Sequence, residues 1–317
     1  MAYQIKQGEK LGQSLWRLVK ERLDGAAEAL GGVSATELTG IHEARKRFKE
    51  IRAVLRLGRG VLGEQFGVEN RWYRDRGREL SRDRDAQALT EIWEAVLPDL
   101  EPALVGNAVI GKLSDRLCRR RDAIASGDGG AASRATAVLE QLPMAYSRVP
   151  HWPRPAGGFA LIKPGLARTY EQGREARRTA TESNTDAAVH EWRKRVKDLW
   201  YQSLLLRRIW PRELRVRAES LKQLSDLLGK DHDLAVLRGI LATERDLVPD
   251  PEILGALTKA LARRQAAFRG EAATAGALLY AETRKAYTRR IRRYWKVWRT
   301  TPFRQPKTAP DSTDQLS

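Results

Sequence analysis

The chain has 317 residues, a formal net charge of +18 at pH 7 and a single cysteine. An excess of positive charge this large favours a polyanionic partner, such as nucleic acid, an anionic membrane or another polyanion, and the length suggests about two domains. No apolar run approaches the ~20 residues that span a bilayer, and the polar first residues lack the apolar core of a signal peptide, so we expect neither a membrane span nor secretion. Cys118 alone excludes an internal disulfide, which favours a reducing cytoplasm.

Apolar residues recur at helical spacing in most windows and alternating β-branched runs are scarce, so the sequence predicts an all-α protein. In the first half, the apolar stripe from Leu15 to Ala27 ends at Gly31. Glycine and proline residues delimit the helices that follow. These are predicted at 41–58, 69–81, 86–97, 105–126 and 131–142.

The stretch 143–164 holds five prolines and predicts a surface connection that packs through Trp152 and Phe159. Helices are predicted to resume at 165–183, 187–210, 213–228, 231–243, 252–269 and 272–299. The polar residues after Pro302 predict a disordered tail. We therefore divide the chain into a first helical bundle (1–145), a connection (146–164), a second bundle (165–300) and a tail (301–317), with roughly four long helices in each bundle.

Two sequence blocks occur twice, each time 148 residues apart. His42-Glu43-Ala44-Arg45-Lys46-Arg47 matches His190-Glu191-Trp192-Arg193-Lys194-Arg195, and Leu80-Ser81-Arg82-Asp83-Arg84-Asp85 matches Leu228-Gly229-Lys230-Asp231-His232-Asp233. Two blocks held at one spacing indicate an internal duplication.

The predicted helix that begins near His42 carries cations on one face. At 100° per residue, seven basic side chains fall within an arc of about 140° and extend about 25 Å along the helix. They are His42, Arg45, Lys46, Lys49, Arg52, Arg56 and Arg59. The adjoining buried stripe consists of Ala44, Phe48, Ile51 and Leu55. Because like charges at i,i+4 repel and no acid lies on the row, we interpret it as an anion-binding face, the alternative being an ordinary solvated face.

The second copy keeps His190, Arg193, Lys194 and Lys197, but Trp200, Tyr201 and Leu204 replace the cations in the middle, so the first copy is expected to be the stronger charge site. Other basic residues also recur 148 residues apart, Arg74 with Lys222 and Arg82 with Lys230. Arg174 and Arg178 are spaced as on one helix face shortly before His190. The candidate anion-binding residues are His42, Arg45, Lys46, Lys49, Arg52, Arg56, Arg74, Arg82, Arg174, Arg178, His190, Arg193, Lys194, Lys197, Lys222, Lys230 and His232. The cations of 289–299 are expected to wrap around the last helix, which solvation or nonspecific attraction explains equally well.

The four histidines lack HxxH or HExxH spacing, so we expect no metal and no cofactor. His42 and His190 are interpreted as hydrogen-bond donors to an anion, with phosphoacceptors as the alternative; nearby cations should lower the pKa of both imidazoles. The repeated pairs Asp83/Asp231 and Asp85/Asp233 are interpreted as side chains that orient arginine and histidine or cap the next helix. The alternative is a catalytic carboxylate cluster.

The repeated blocks resemble those of the conserved histidine α-helical domain (CHAD) family over about residues 5–300. The most specific segments are His190-Glu191-Trp192-Arg193-Lys194-Arg195-Val196-Lys197-Asp198-Leu199-Trp200-Tyr201 and Leu228-Gly229-Lys230-Asp231-His232-Asp233-Leu234, with His42 to Arg47 as the N-terminal counterpart. The resemblance implies two pseudo-symmetric four-helix bundles around a basic groove or pore that binds inorganic polyphosphate, and association with polyphosphate granules in bacteria. It assigns binding roles to His42, Arg45, Lys46, Lys49, Arg52, His190, Arg193, Lys194 and Lys197.

The sequence departs from a strict repeat at one position, where Arg84 stands opposite His232, so the resemblance gives these two residues no shared role. The family often accompanies a triphosphate-processing domain, but the two predicted bundles use the whole chain. The leading hypothesis is a cytoplasmic, non-enzymatic polyphosphate-binding protein. The runner-up binds nucleic acid, although the basic rows lack interleaved aromatics. A polyphosphate-processing enzyme would need an acidic metal cluster or a phosphate-binding glycine loop, and the loop at 127–130 lacks the lysine.

Overall fold

A computed structural model of the protein describes residues 3–34, 39–125 and 130–301. All regular elements in these ranges are helices, which confirms the all-α prediction. The first half contains α1 (Leu11–Gly31), α2 (Thr39–Leu57), α3 (Arg59–Leu62), α4 (Gln65–Glu79), α5 (Arg82–Val96), α6 (Pro102–Val105), α7 (Ala108–Ala125) and α8 (Ala131–Arg148). The second half contains α9 (Lys163–Ser183), α10 (Asp186–Leu206), α11 (Pro211–Thr243), α12 (Pro251–Leu279) and α13 (Arg284–Thr300). Short 3-10 turns lie at Leu97–Asp99, Val149–His151, Phe159–Leu161, Arg207–Ile209 and Arg245–Leu247.

Helix α8 continues through Pro143, so the prediction that this helix ends at residue 142 is wrong. Proline removes one backbone hydrogen bond from a helix, and Pro143 is exposed. The opposite face of α8 is buried at a spacing of three and four residues, at Ala135, Val138, Leu142 and Ala145. Burial of this continuous apolar stripe outweighs the single lost hydrogen bond.

Two further helix boundaries differ from the prediction. The predicted helices at 213–228 and 231–243 form one helix, α11, whose buried leucines continue on both sides of Gly229. Helix α12 also passes Gly270 and ends at Leu279. The next helix, α13, begins after Thr283, whose hydroxyl accepts a hydrogen bond from the backbone N–H of Ala286 at 3.2 Å. An N-cap of this type fixes the start of a helix more strongly than an isolated glycine ends one, so the boundary lies at Thr283 and not at Gly270.

The helices of the two halves have neighbours in the same order. Helix α1 packs against α2 and α8, α2 packs against α4, and α5 packs against α7. In the second half, α9 packs against α10 and α13, α10 packs against α11, and α11 packs against α12. One long helix, α11, thus takes the places of α4 and α5. This correspondence is the arrangement that a duplicated chain would give.

Ion pairs on α2 and α10 also occur at corresponding positions. On each helix one glutamate binds the lysine three residues later and the arginine four residues later. These pairs are Glu43 with Lys46 and Arg47, and Glu191 with Lys194 and Arg195. A second carboxylate, Glu50 or Asp198, binds the same arginine from the following turn. The two helices therefore share local chemistry as well as sequence.

The hydrophobic side chains form two cores, and each core draws on both halves of the chain. The larger core combines α1, α2, α4 and α8 with α9, α10, α13 and parts of α11 and α12. The smaller core combines α5 and α7 with the C-terminal part of α11 and the N-terminal part of α12. Tight packing between the halves therefore fixes the position of α2 relative to α10.

Helix α9 crosses the end of α2 at very close range because of a glycine. A Cβ atom at Gly165 would lie 2.4 Å from the carbonyl oxygen of Arg56 and 2.3 Å from that of Leu57. Any larger residue would push the two backbones apart, so glycine is the only residue that permits this crossing. The crossing brings the N-terminal turns of α9 next to the cations of α2.

The predicted tail after Pro302 and the loop at 127–129 lie outside the described residues. Within the part of the chain that the structure describes, no helix is both long and apolar enough to cross a membrane.

Candidate anion-binding site

A cavity of about 570 Å³ lies where α2, α4, α9 and α10 meet. Ten of the residues that line it are arginine or lysine, and among the described lining residues none is aspartate or glutamate. The cations are Arg45, Lys49, Arg52, Arg56, Arg59, Arg74, Arg78, Arg168, Lys194 and Arg195. His190 and the polar residues Asn70, Thr169 and Gln172 complete the polar lining. Both predicted basic helices contribute to this one space.

Helix α2 supplies four of these cations from one face, whereas Arg59, predicted on the same helix, lies on the short helix α3. Its opposite side is the predicted apolar stripe, and Phe48, Ile51 and Leu55 are at most 1 % exposed, which confirms the predicted buried face. Burial of that stripe fixes the rotation of the helix, so the cations at 45, 49, 52 and 56 must point the other way. The core therefore sets the direction in which the row faces.

One hydrogen bond and one ion pair hold the two cations at the C-terminal end of α2, Arg52 and Arg56, in place. The Nε of Arg52 donates to the Oδ1 of Asn70 on α4 at 3.2 Å. The Nη1 of Arg56 lies 3.0 Å from the Oδ1 of Asp198 on α10. Asp198 also binds Arg195 at 3.3 Å, so one carboxylate from α10 positions two cavity-lining arginines. Burial lowers the pKa of Arg56, and the charge of Asp198 partly opposes that effect.

Lys49 of α2 lies within electrostatic range of Lys197 of α10, and both lysines are affected by the charges of Arg45 and Arg193. Burial, followed by the charges of Lys197 and Arg45, lowers the pKa of Lys49 to about 7. Burial and the charge of Arg193 lower the pKa of Lys197 to about 8. Among the described residues, no carboxylate lies within ion-pair distance of either ammonium group. Lys49 therefore lacks a counter-charge that would hold its proton, whereas the charges of Asp226 and Asp233 raise the pKa of Lys197 but do not offset its burial.

His190 packs against His232, with ring centroids 4.1 Å apart. Burial and the charges of Lys194 and Arg193 lower the pKa of His190, while burial and the charge of His190 lower the pKa of His232 to about 4. Both imidazoles are therefore neutral at pH 7 in the anion-free protein. The Nδ1 of His190 is buried and has no hydrogen-bond partner among the described residues.

Gly229 lies on α11 three residues before His232, where it allows Arg193 of α10 to come close to the histidine pair. A Cβ atom at Gly229 would lie 3.2 Å from Nη2 of Arg193, so the glycine leaves room for the guanidinium beside His232. Asp231 is 1 % exposed and accepts a hydrogen bond from the Nε of Arg269 at 2.6 Å. Since α11 is continuous here, Asp231 orients an arginine and caps no helix. The side chains of Asp83 and Asp85 lie outside the described part of the structure.

Several predicted residues do not line the cavity. Arg193, Lys197 and His232 lie directly behind it, in contact or charge range of its lining. His42 and Arg178 are exposed. The others bind elsewhere: Lys46 pairs with Glu43, Arg174 with Glu171 and Lys222 with Asp226, and Lys230 lies 5.5 Å over the ring of Phe268. The side chain of Arg82 is not among those described.

The structure adds cations that the sequence reasoning did not select. Arg78 lies one turn after Arg74, and Asn70 one turn before it, so an i,i+4 row on α4 could have identified it. Arg195 belongs to the repeated block, but it was not among the residues predicted on the basic face of that helix. Arg168 enters through the close crossing at Gly165, and no feature of the sequence indicates that crossing.

A cavity with this lining can bind a chain of phosphate groups. Arginine guanidinium groups bind phosphate oxygens in a bidentate manner. A nearby anion also raises the pKa of histidine and lysine, which favours their protonated, cationic forms. Within the described residues, no group of three histidine, cysteine, aspartate or glutamate side chains could hold a metal ion. The absence of a metal remains a prediction.

Comparison with known families gives one match. The family model described as CHAD domain matches residues 17–242, which is more than half of the chain, and it confirms the resemblance of the repeated blocks. No curated protein matches the chain significantly.

Proposed function

The chain belongs to the CHAD family, and from this premise we propose that it is a non-enzymatic protein that binds inorganic polyphosphate. The observation that carries the proposal is the cavity, whose lining holds ten lysine and arginine residues and no described carboxylate. Asp75, Glu191 and Asp198 neutralise part of this charge from outside the lining. The remaining positive charges repel one another, and an anion relieves that repulsion. The unpartnered Nδ1 of His190 adds a hydrogen-bonding group that an anionic oxygen could satisfy.

The shape of the lining fits a flexible single chain. The cavity-lining cations of α2 extend from Arg45 to Arg56, about 17 Å at 1.5 Å per residue, and Arg59 of α3 follows. Polyphosphate carries about one charge per unit along one flexible strand, so successive units can meet successive cations. A space of about 570 Å³ excludes a rigid nucleic-acid duplex, which disfavours duplex nucleic acid as the ligand of the cavity.

The proposal includes an internal duplication into two pseudo-symmetric four-helix bundles and a place at cytoplasmic polyphosphate granules. The repeated ion pairs on α2 and α10 support the duplication. The granule location rests on the family alone. The protein is proposed to bind polyphosphate without processing it, and incubation with long-chain polyphosphate and Mg²⁺ or Mn²⁺ tests this. Release of phosphate above the rate of a heat-inactivated sample would indicate an enzyme instead.

Competition between polyphosphate and DNA tests the proposed ligand. We expect long-chain polyphosphate to bind more tightly than duplex DNA of equal charge, measured by fluorescence anisotropy at matched salt. The affinity should also fall steeply with salt, because binding releases counterions from the polyanion. Displacement of bound polyphosphate by an equal or lower concentration of DNA would favour the nucleic-acid hypothesis for the cavity.

We expect the affinity for polyphosphate to fall as the pH rises from 7 to 9. The pKa values of Lys49 and Lys197 in the free protein are about 7 and about 8, and a bound anion raises both. Below pH 7 the lysines are already protonated, so this contribution is complete. Above these pKa values binding must take up protons, and each proton taken up lowers the affinity by up to about tenfold per pH unit.

Calorimetry in buffers of different ionisation enthalpy at pH 8 would measure the proton uptake. The matched control is the double variant Lys49→Arg/Lys197→Arg, which stays protonated and should give a flatter pH profile. A parent protein whose affinity is constant between pH 7 and 9, with no proton uptake, would contradict the assignment of these lysines to the site.

A further inference from the structure

Helix α13 carries a second row of cations that belongs to another surface. Its 17 residues include eight arginine or lysine residues and no acid. The sequence suggested that these cations wrap around the helix, but in the structure one of them is paired with acids and the others are exposed. Arg290 is directed to Glu282 and Glu213, while the other seven are exposed. None of the residues of α13 lines the cavity.

The exposed cations of α13 are regularly spaced. Lys285, Arg289, Arg292, Lys296 and Arg299 follow one another at intervals of four and three residues, so they form one row about 21 Å long. Arg293 lies beside the row. Within the described part of the chain, no carboxylate lies within ion-pair distance of the first four residues of the row or of Arg293. A solvated helix face normally mixes charges of both signs, and this one does not.

The other face of α13 fixes the helix to the protein. Tyr287, Ile291, Trp295 and Trp298 are at most 5 % exposed, and Tyr287 stacks on Tyr170 of α9 with ring centroids 4.1 Å apart. The row therefore lies on the exposed face of a helix that is held firmly against the core. A ligand too wide for the cavity can still reach it.

We propose that the outer face of α13 is a second polyanion-binding surface, which takes the phosphate backbone of duplex nucleic acid without reading its sequence. Four of the six cations in or beside the row are arginine, the side chain best suited to phosphate oxygens. A duplex has the highest linear charge density of the nucleic acids and gains most from counterion release. A rigid duplex can contact a straight row of exposed cations along one helix without a change of shape.

Two other occupants fit the row less well. A helix that binds membranes inserts its apolar face into the lipid, but the apolar face of α13 is buried in the core. Its one exposed large apolar residue is Val297, on the flank of the row. Single strands bind by stacking their bases on exposed aromatic rings. The aromatic residues of α13 are buried or lie towards Trp210, away from the row.

The test uses a fluorescent 20-base-pair DNA duplex and the full-length protein. In the variant Arg289→Gln/Arg292→Gln/Arg293→Gln/Lys296→Gln we expect the affinity for DNA to fall at least about tenfold and the salt slope to fall by about three to four, at 0.9 per lost contact. Binding of polyphosphate in the cavity should stay within about twofold. The control variant removes four exposed cations elsewhere, by Lys112→Gln/Arg119→Gln/Arg215→Gln/Lys259→Gln, and should bind DNA nearly as the parent does.

Three results would overturn the proposal. An equal loss of DNA binding in both quadruple variants would mean that DNA responds to net charge alone. A loss of DNA binding in the cavity variant Arg45→Ala/Lys49→Ala/Arg52→Ala, with no loss in the α13 variant, would place DNA at the cavity. If the α13 variant retains DNA but no longer binds vesicles that contain phosphatidylserine, the row is a membrane surface. Failure of polyphosphate binding in the parent protein would refute the proposed function and leave this test unaffected.

Discussion

The triple variant Arg45→Ala/Lys49→Ala/Arg52→Ala is expected to lose most of its affinity for polyphosphate while it remains folded. All three side chains line the cavity from one face of α2, and hydrogen bonds to charged groups contribute about 1.5 kcal/mol or more each. Their combined loss should therefore weaken binding on the order of a thousandfold. The slope of affinity against salt should fall by about two to three, because three phosphate contacts are removed.

The same substitutions should not destabilise the protein. Lys49 is held with a pKa of about 7, which means that the fold disfavours its charged form. Since the pKa in the folded state is lower than in the unfolded state, this penalty is fully present below pH 7 and is lost as the pH rises towards the unfolded value. Removal of the charge therefore removes the penalty. Thermal unfolding at pH 6 should give a midpoint equal to or above that of the parent.

A second triple variant controls for net charge. Lys112→Ala/Arg119→Ala/Lys259→Ala removes three exposed cations that do not line the cavity, and it should bind polyphosphate almost as the parent does. If the α2 variant binds as tightly as this control, the α2 row is a solvated face and the assignment of the site is wrong.

Local pattern was sufficient to predict the helices and the orientation of α2. The stripe of Ala44, Phe48, Ile51 and Leu55 follows directly from helical spacing, and all four are buried as predicted. Patterns failed where packing decided between alternatives. Pro143 lies inside α8 because the apolar stripe on the other face continues past it. Gly229 lies inside α11 because its buried leucines continue as well.

The assembly of the cavity could be predicted only in part. The sequence identified the cations on α2 and the second histidine helix, since both copies repeat, but it could not show that the two rows meet. That meeting depends on two cores that each combine both halves and on the close crossing at Gly165. Residues such as Arg168 and Arg195 become part of the lining through these long-range contacts, which leave no periodic signal in the sequence.

Phe48→Ala should destabilise the protein strongly, because this residue connects the core to the site. Its side chain is 1 % exposed and packs beside Tyr73, with ring centroids 6.1 Å apart, and part of it reaches the cavity wall. Truncation of a buried phenylalanine to alanine costs about 3–5 kcal/mol through lost burial and the void that remains. Equilibrium unfolding in urea should show a lower midpoint by the corresponding amount.

Polyphosphate binding by Phe48→Ala separates the two roles of α2. At a temperature where the variant is folded all cations of the row remain, so the salt slope should equal that of the parent, even if the affinity falls because α2 is less rigidly held. Phe48→Leu, which fills much of the same space, should recover most of the stability. A variant that is as stable as the parent would mean that Phe48 does not anchor α2. A salt slope as low as that of the triple variant would mean that the cations of α2 need the Phe48–Tyr73 contact to reach the polyphosphate.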